Sequence, residues 1–124
     1  MRRLIVVDAA NVVGSVPDGW WRDRAGAARR LRDGLAAMRS TAFDGELVLV
    51  VEGRARDIAA VPGVRVVSAE RSGDDAIVDL VREEGSGRDC LVVTADRGLR
   101  ARVTALGAEV TGPSTLRREF DASV

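Results

Sequence analysis

The sequence predicts an α/β domain, a three-layer α/β/α sandwich around a mostly parallel sheet of about five strands. Three observations predict it. Short apolar runs alternate along the chain with longer amphipathic stretches. The central runs, such as Leu4 to Val7 and Cys90 to Val93, are apolar at every position, as in strands covered on both faces. The length, 124 residues, suits one such domain over residues 1–124.

The elements follow in order. Arg3 to Asp8 is a buried strand, mostly β-branched, that ends on a carboxylate. Gly14, Ser15, Pro17, Asp18 and Gly19 punctuate a loop over 14–20. From about 21 to 40 the period becomes helical: Ala28, Leu31, Leu35 and Met38 share a face, and Arg22, Arg29, Arg30 and Asp33 fall elsewhere. Glu46 to Glu52 is a second strand, again closed by a carboxylate. A polar stretch follows, and Pro62 and Gly63 turn the chain into a third strand at Val64 to Ser68. Asp74 to Glu84 is helical, with Ile77, Val78, Leu80 and Val81 on its apolar side. Cys90 to Thr94 is a fourth strand, and Arg97 to Leu106 a helix closed by Gly107. Ala108 to Thr111 is a short fifth strand, after which Pro113 and Ser114 open a last short helix.

Composition narrows the chemistry. All 19 basic residues are arginine, and they cancel 19 acidic ones, so net charge makes no case for nucleic acid or an anionic membrane. With no histidine, Ser-His and Cys-His hydrolase arrangements and most zinc sites are excluded. With no lysine, a P-loop and Schiff-base chemistry are excluded as well. Carboxylate chemistry through a bound metal ion is what remains. The single cysteine, Cys90, sits in an apolar run and reads as a core residue. No apolar run approaches the ~20 residues of a membrane span. Leu4 to Val7 is too short for the ~7–15-residue core of a signal peptide, so the expected location is the cytoplasm.

In a parallel sheet, ligands bind beyond the carboxyl ends of the strands. Asp8 and Glu52 end strands, Asp74 and Asp75 open the helix after the third strand, and Asp96 follows the fourth by two residues. Carboxylates converging on one edge repel one another unless a cation sits among them, and hard oxygen donors suit Mg²⁺ or Mn²⁺. Structural readings compete. Asp74 and Asp96 stand where a helix N-cap belongs, and Ser72 to Asp75 has the form of a capping box. Glu52 reads equally as part of a surface turn, and Asp79 as a solvated helix position. Asp8 is harder to assign a structural job, because it ends a buried central strand.

Three motifs together carry a resemblance. Asp8-Ala-Ala-Asn11 resembles the D-x-x-N opening of NYN domains, in the PIN-like nuclease superfamily. That family includes the bacterial YacP-type nucleases and the nuclease domain of the CCCH zinc-finger ribonucleases. Gly73-Asp74-Asp75 is similar to the paired aspartates that open the family's central helix, and Thr94-Ala-Asp96 resembles its [ST]-x-D motif. The motifs come in the family's order, and the likeness covers residues 3 to about 111. Where some members carry a further aspartate this chain has Arg100, which leaves the acidic set near its minimum. The resemblance implies a PIN-like, Rossmann-like fold and a metal-dependent ribonuclease. Asp8, Asp74, Asp75 and Asp96 would surround one or two Mg²⁺ or Mn²⁺ ions, with Asn11 positioning Asp8 or a phosphate oxygen. Hydrolysis by a metal-held water would leave 5′-phosphate and 3′-hydroxyl ends.

Charge distribution adds a candidate RNA surface. Residues 20–39 hold six arginines against two aspartates, a local surplus of four positive charges, with Trp20 and Trp21 just ahead of them. Arginine beside an aromatic suits single-stranded RNA, through phosphate contacts and base stacking. The candidate substrate contacts are Trp20, Trp21, Arg22, Arg29, Arg97 and Arg100. Packing of the tryptophans under their loop is the competing reading. A homodimer is compatible with a domain of this size, although no apolar stripe marks an interface.

Overall fold

Every strand residue from Leu4 to Val7 is fully buried, which places this segment at the centre of the molecule. The computed structural model describes residues 2–122. Five strands, β1 (Leu4–Asp8), β2 (Glu46–Val51), β3 (Val64–Ser68), β4 (Cys90–Val93) and β5 (Glu109–Thr111), form one sheet in the order β3-β2-β1-β4-β5. All four neighbouring pairs are parallel, so the sheet is wholly rather than mostly parallel. Even the step from β2 to β3, which lacks an α-helix, is a crossover of about a dozen residues, the minimum a parallel connection needs.

The helices are α1 (Ala9–Gly14), α2 (Arg24–Ala37), α3 (Gly73–Glu84), α4 (Arg97–Thr104) and α5 (Pro113–Ala122), with 3₁₀ turns at Trp20–Arg22 and Gly53–Ala55. Period-two alternation sends successive strand residues to opposite faces. Ile5, Val7, Leu49 and Val93 meet Val12, Leu31, Leu35 and Leu116 of α1, α2 and α5. Leu4, Val6, Val50 and Val92 meet Ile77, Val81, Leu99 and Val103 of α3 and α4. Two covered faces are why the central runs Leu4 to Val7, Leu47 to Val51 and Cys90 to Val93 are apolar at every position. Cys90 belongs to the second layer as a buried free thiol. No helix among the described residues is long and apolar enough to cross a membrane.

Several element boundaries differ from the sequence expectation for physical reasons. Asp8 caps α1, so a helix follows β1 at once and the loop begins only at Ser15. Helix α2 stops at Ala37, where Met38 turns extended. Helix α3 begins at Gly73 because Ser72, not Asp74, is its cap: the Ser72 hydroxyl accepts from the Asp75 N–H at 3.2 Å. Helix α4 ends at Thr104 in a Schellman turn, with the Ala108 N–H donating to the Val103 carbonyl at 3.1 Å and Gly107 at φ 92°.

The chain runs from β1 outward to β2 and β3, then returns to β4 on the other side of β1. That reversal opens a crevice at the carboxyl ends of β1 and β4, where ligands of parallel sheets bind. At the opposite end, the Glu46 N–H donates to the Arg3 carbonyl at 2.8 Å and sets the β1–β2 register. A Cβ at Gly45 would lie well inside van der Waals contact of that carbonyl oxygen. Gly45→Ala is therefore expected to destabilise the fold by about 1–3 kcal/mol, read as a lower urea midpoint at unchanged m-value.

Candidate active site

Asp8, the last residue of β1, is only 4% exposed. One carboxylate oxygen, Oδ2, accepts from the hydroxyl of fully buried Thr94 at 2.9 Å; the other accepts from the Asn11 N–H at 3.3 Å. The carboxylate thus caps α1, a structural task the sequence reading did not give it. The Thr94 oxygen in turn accepts from the Asp96 N–H at 3.2 Å. Asn11 reaches across the crevice, its Oδ1 accepting from the Ala95 N–H at 2.8 Å. The D-x-x-N and T-x-D segments are therefore joined directly, by side-chain bonds spanning the carboxyl ends of β1 and β4.

Two further carboxylates face this junction. Asp96 caps α4, its Oδ1 accepting from the Leu99 N–H at 2.8 Å. Glu52 leaves the end of β2 and accepts from the Gly73 N–H at 2.8 Å, at the start of α3. A Cβ on Gly73 would stand 3.1 Å from the other Glu52 oxygen, so a glycine here is what admits this close approach. Glu52 is thus no surface-turn residue with a local ion pair. It ties β2 to α3, across 21 residues that no short-range pattern relates. Asp74, freed from capping by Ser72, is half-buried in the first turn of α3.

Crowding of these groups is visible in their protonation. Burial pushes the Asp8 carboxyl up to about 6, against the Thr94 and Asn11 hydrogen bonds and with help from the Asp74 and Glu52 charges. Burial also raises Asp74, reinforced by Asp96, Glu52 and Asp75 and opposed by Arg102. Among the described residues, none of Asp8, Glu52, Asp74 and Asp96 makes a salt bridge. Asp75 is exposed and turned away into an ion pair with Arg102 at 3.1 Å. Among the described residues, no three acidic side chains close on one point as a complete metal cage. The cluster is open, and coupled through space.

The basic and aromatic candidates divide. Trp20 is half-buried, whereas Trp21 is 50% exposed, and the two rings meet edge to face at 6.0 Å. The Arg22 guanidinium lies over the Trp21 ring and that of Arg24 over the Trp20 ring. Packing thus takes part of Trp20 and leaves Trp21 open. Arg29 and Arg97 are exposed. Arg100 is partly committed, since its Nε donates to the Thr94 carbonyl at 2.8 Å and braces the turn before Asp96. Asp79 pairs with Arg82 on the surface of α3, outside the cluster.

The raised Asp8 carboxyl fixes a sign for pH dependence. A carboxyl held above its unfolded value of 3.8 binds its proton more tightly in the native state, so stability is lost as pH rises through about 6. The loss is on the order of 2–3 kcal/mol. Without divalent cations, the thermal midpoint of the wild type is expected to fall between about pH 4 and about pH 7. Asp8→Asn should show a much shallower fall and a higher midpoint at neutral pH. Parallel curves for the two proteins would count against a protonation-linked cost at Asp8.

No family model and no curated protein matches the sequence. Among solved structures, the crystal structure of Rae1 (YacP) from Bacillus subtilis is similar at TM-score 0.76 and 18% identity, over 97% of this chain and 74% of that one. A single-substitution mutant of the same protein matches at TM-score 0.74 and 18% identity, over 97% of this chain and 75% of that one. At this identity the likeness is one of architecture: the chain has a YacP-like α/β fold.

Proposed function

We propose that the protein is a metal-dependent ribonuclease of the NYN type that hydrolyses phosphodiester bonds in single-stranded RNA. The observation that carries this reading is the gathering of Asp8, Asp74, Asp96 and Glu52 at the switch point of a parallel sheet, where burial raises the Asp8 and Asp74 carboxyls and the neighbouring carboxylates add to it. The YacP-like fold and the three acidic motifs support it. An all-oxygen, open donor set fits Mg²⁺ or Mn²⁺, since Mg²⁺ is commonly held through one or two carboxylates and keeps several waters. Among the described residues no three acidic side chains are grouped to hold a metal ion, so the ion would be taken by Asp8 and Asp74, with Asp96 moving toward it. When bound, it supplies neutralisation of phosphoryl charge and activation of a water nucleophile.

The protein's own part is positioning. Thr94 and the first turn of α1 fix the Asp8 carboxylate. Asn11 fixes the Ala95 amide, and with it the turn that presents Asp96. Asp75, the fourth expected ligand, joins the set when its ion pair with Arg102 opens. Trp20 and Trp21 offer stacking surfaces, and Arg22, Arg29 and Arg97 meet phosphates, with Arg100 contributing its remaining donors.

A second reading, a non-catalytic RNA-binding module on this fold, is favoured by the Asp75–Arg102 pair and by an arginine at position 100. Cleavage of a fluorescent single-stranded RNA in Mn²⁺, Mg²⁺ or EDTA separates the two. The ribonuclease reading expects cleavage that requires metal and drops at least about 100-fold in Asp8→Asn, and about 10–100-fold in Thr94→Val, which removes the hydroxyl that supports Asp8 and receives the Asp96 N–H. RNA binding that persists in EDTA, with no cleavage by folded wild type, would establish the binding module instead.

A further inference from the structure

Beside the carboxylate cluster lies a second feature, which the motifs do not mark. A cavity of 330 Å³ opens between α1, α2 and the two 3₁₀ turns, near the lower end of the ~300–1,000 Å³ typical of small-molecule sites. Its apolar lining includes Ala10, Ala28 and Ala55, so the space exists because small side chains from three different elements leave it unfilled. Trp20 supplies an aromatic wall, seated against the Gly14 end of α1 and carrying the Arg24 guanidinium over its ring at 5.4 Å. Arg24 and Arg71 both line the cavity, and neither has an ion-pair partner among the described residues. Glu52 lines it too, and this residue is the wall that the cavity shares with the acidic cluster.

We propose that this cavity seats one nucleobase of a single-stranded RNA, next to the carboxylate cluster. The inference rests on the ribonuclease reading for its choice of RNA, and deepens it by naming a base-binding subsite. Apolar walls with an aromatic face suit a flat heterocycle, which stacks on tryptophan whichever base it is. Two guanidiniums without carboxylate partners suit the phosphates on either side of that base. A sugar phosphate alone leaves the alanine-lined interior and the Trp20 wall unused. Sharing Glu52 between cavity and cluster puts the phosphate of the seated nucleotide close to Asp8 and Asp74. Trp21, exposed and edge-on to Trp20, extends the surface outward for a neighbouring base.

The test reads binding rather than turnover. In a Trp21→Phe protein Trp20 is the sole tryptophan, so its fluorescence reports the cavity. Titration in EDTA with adenosine 5′-monophosphate and with a short oligoadenylate should give saturable quenching, the oligonucleotide binding more tightly. Ribose 5-phosphate should give little. Ala55→Leu, which fills the space, should weaken both nucleotide ligands at least about tenfold. Arg71→Gln, at an exposed position without an ion pair among the described residues, should weaken them several-fold while leaving the thermal midpoint unchanged. Equal quenching by ribose 5-phosphate, or affinities unaltered in both variants, would overturn the base seat. Binding of the mononucleotide but not the oligonucleotide would also overturn it, in favour of a free-nucleotide site. RNA cleavage without nucleotide binding in this cavity sinks this inference alone. Saturable binding that Ala55→Leu and Arg71→Gln both weaken supports the seat whatever the cleavage assay gives.

Discussion

The structure depends most on how a carboxylate is held at the buried end of its central strand. β1 is covered on both faces and flanked by β2 and β4, so a charge at its carboxyl end has little water to satisfy it. Asp8 is instead held by Thr94 at the end of β4 and by the first turn of α1. Those two bonds make the start of α1, the end of β4 and the approach to α4 a single unit, since Thr94 also receives the Asp96 N–H. Asn11 closes the same unit from the other side.

Even so, Asp8 remains well above the ordinary carboxylate range, because burial outweighs its hydrogen bonds. Several of the arginines are employed elsewhere. Arg102 takes Asp75, Arg100 takes the Thr94 carbonyl, and Arg3, Arg65 and Arg88 bind acidic partners toward the amino-terminal ends of the strands. A fold that concentrates uncompensated negative charge at its switch point forgoes stability there. Such local costs are common where a site must accept a charged ligand. The glycines serve the same end: Gly73 admits Glu52 close to the start of α3.

Much of this was legible along the chain, and the exceptions have identifiable causes. The apolar runs of β1, β2 and β4 announced strands covered on both faces, and Val64–Ser68 kept the boundaries expected of it. Helix α1 is six residues long and its cap is Asp8, the last residue of a strand, so local pattern, which offers Asn11 as the cap of a short helical turn, does not place its start. The start of α3 was ambiguous because Ser72, Asp74 and Asp75 are all good capping types, and only geometry shows that the serine takes the role. Glu52 carried a divided signal, a carboxylate at a strand end that reads also as part of a surface turn, and Arg71 carried none, since each acquires its meaning from segments distant in sequence.

The α/β architecture, the order of its elements and the acidic residues set at strand ends are all written along the chain. These follow from periodicity and local turn chemistry, which act over a few neighbouring residues. Long-range contacts made the sheet wholly parallel, paired Asp75 with Arg102 and tied Glu52 to the start of α3. They also decided that Trp20 walls a cavity while Trp21 stands open. Each of those outcomes turns on which distant segments meet, and on how burial and charge balance where they do.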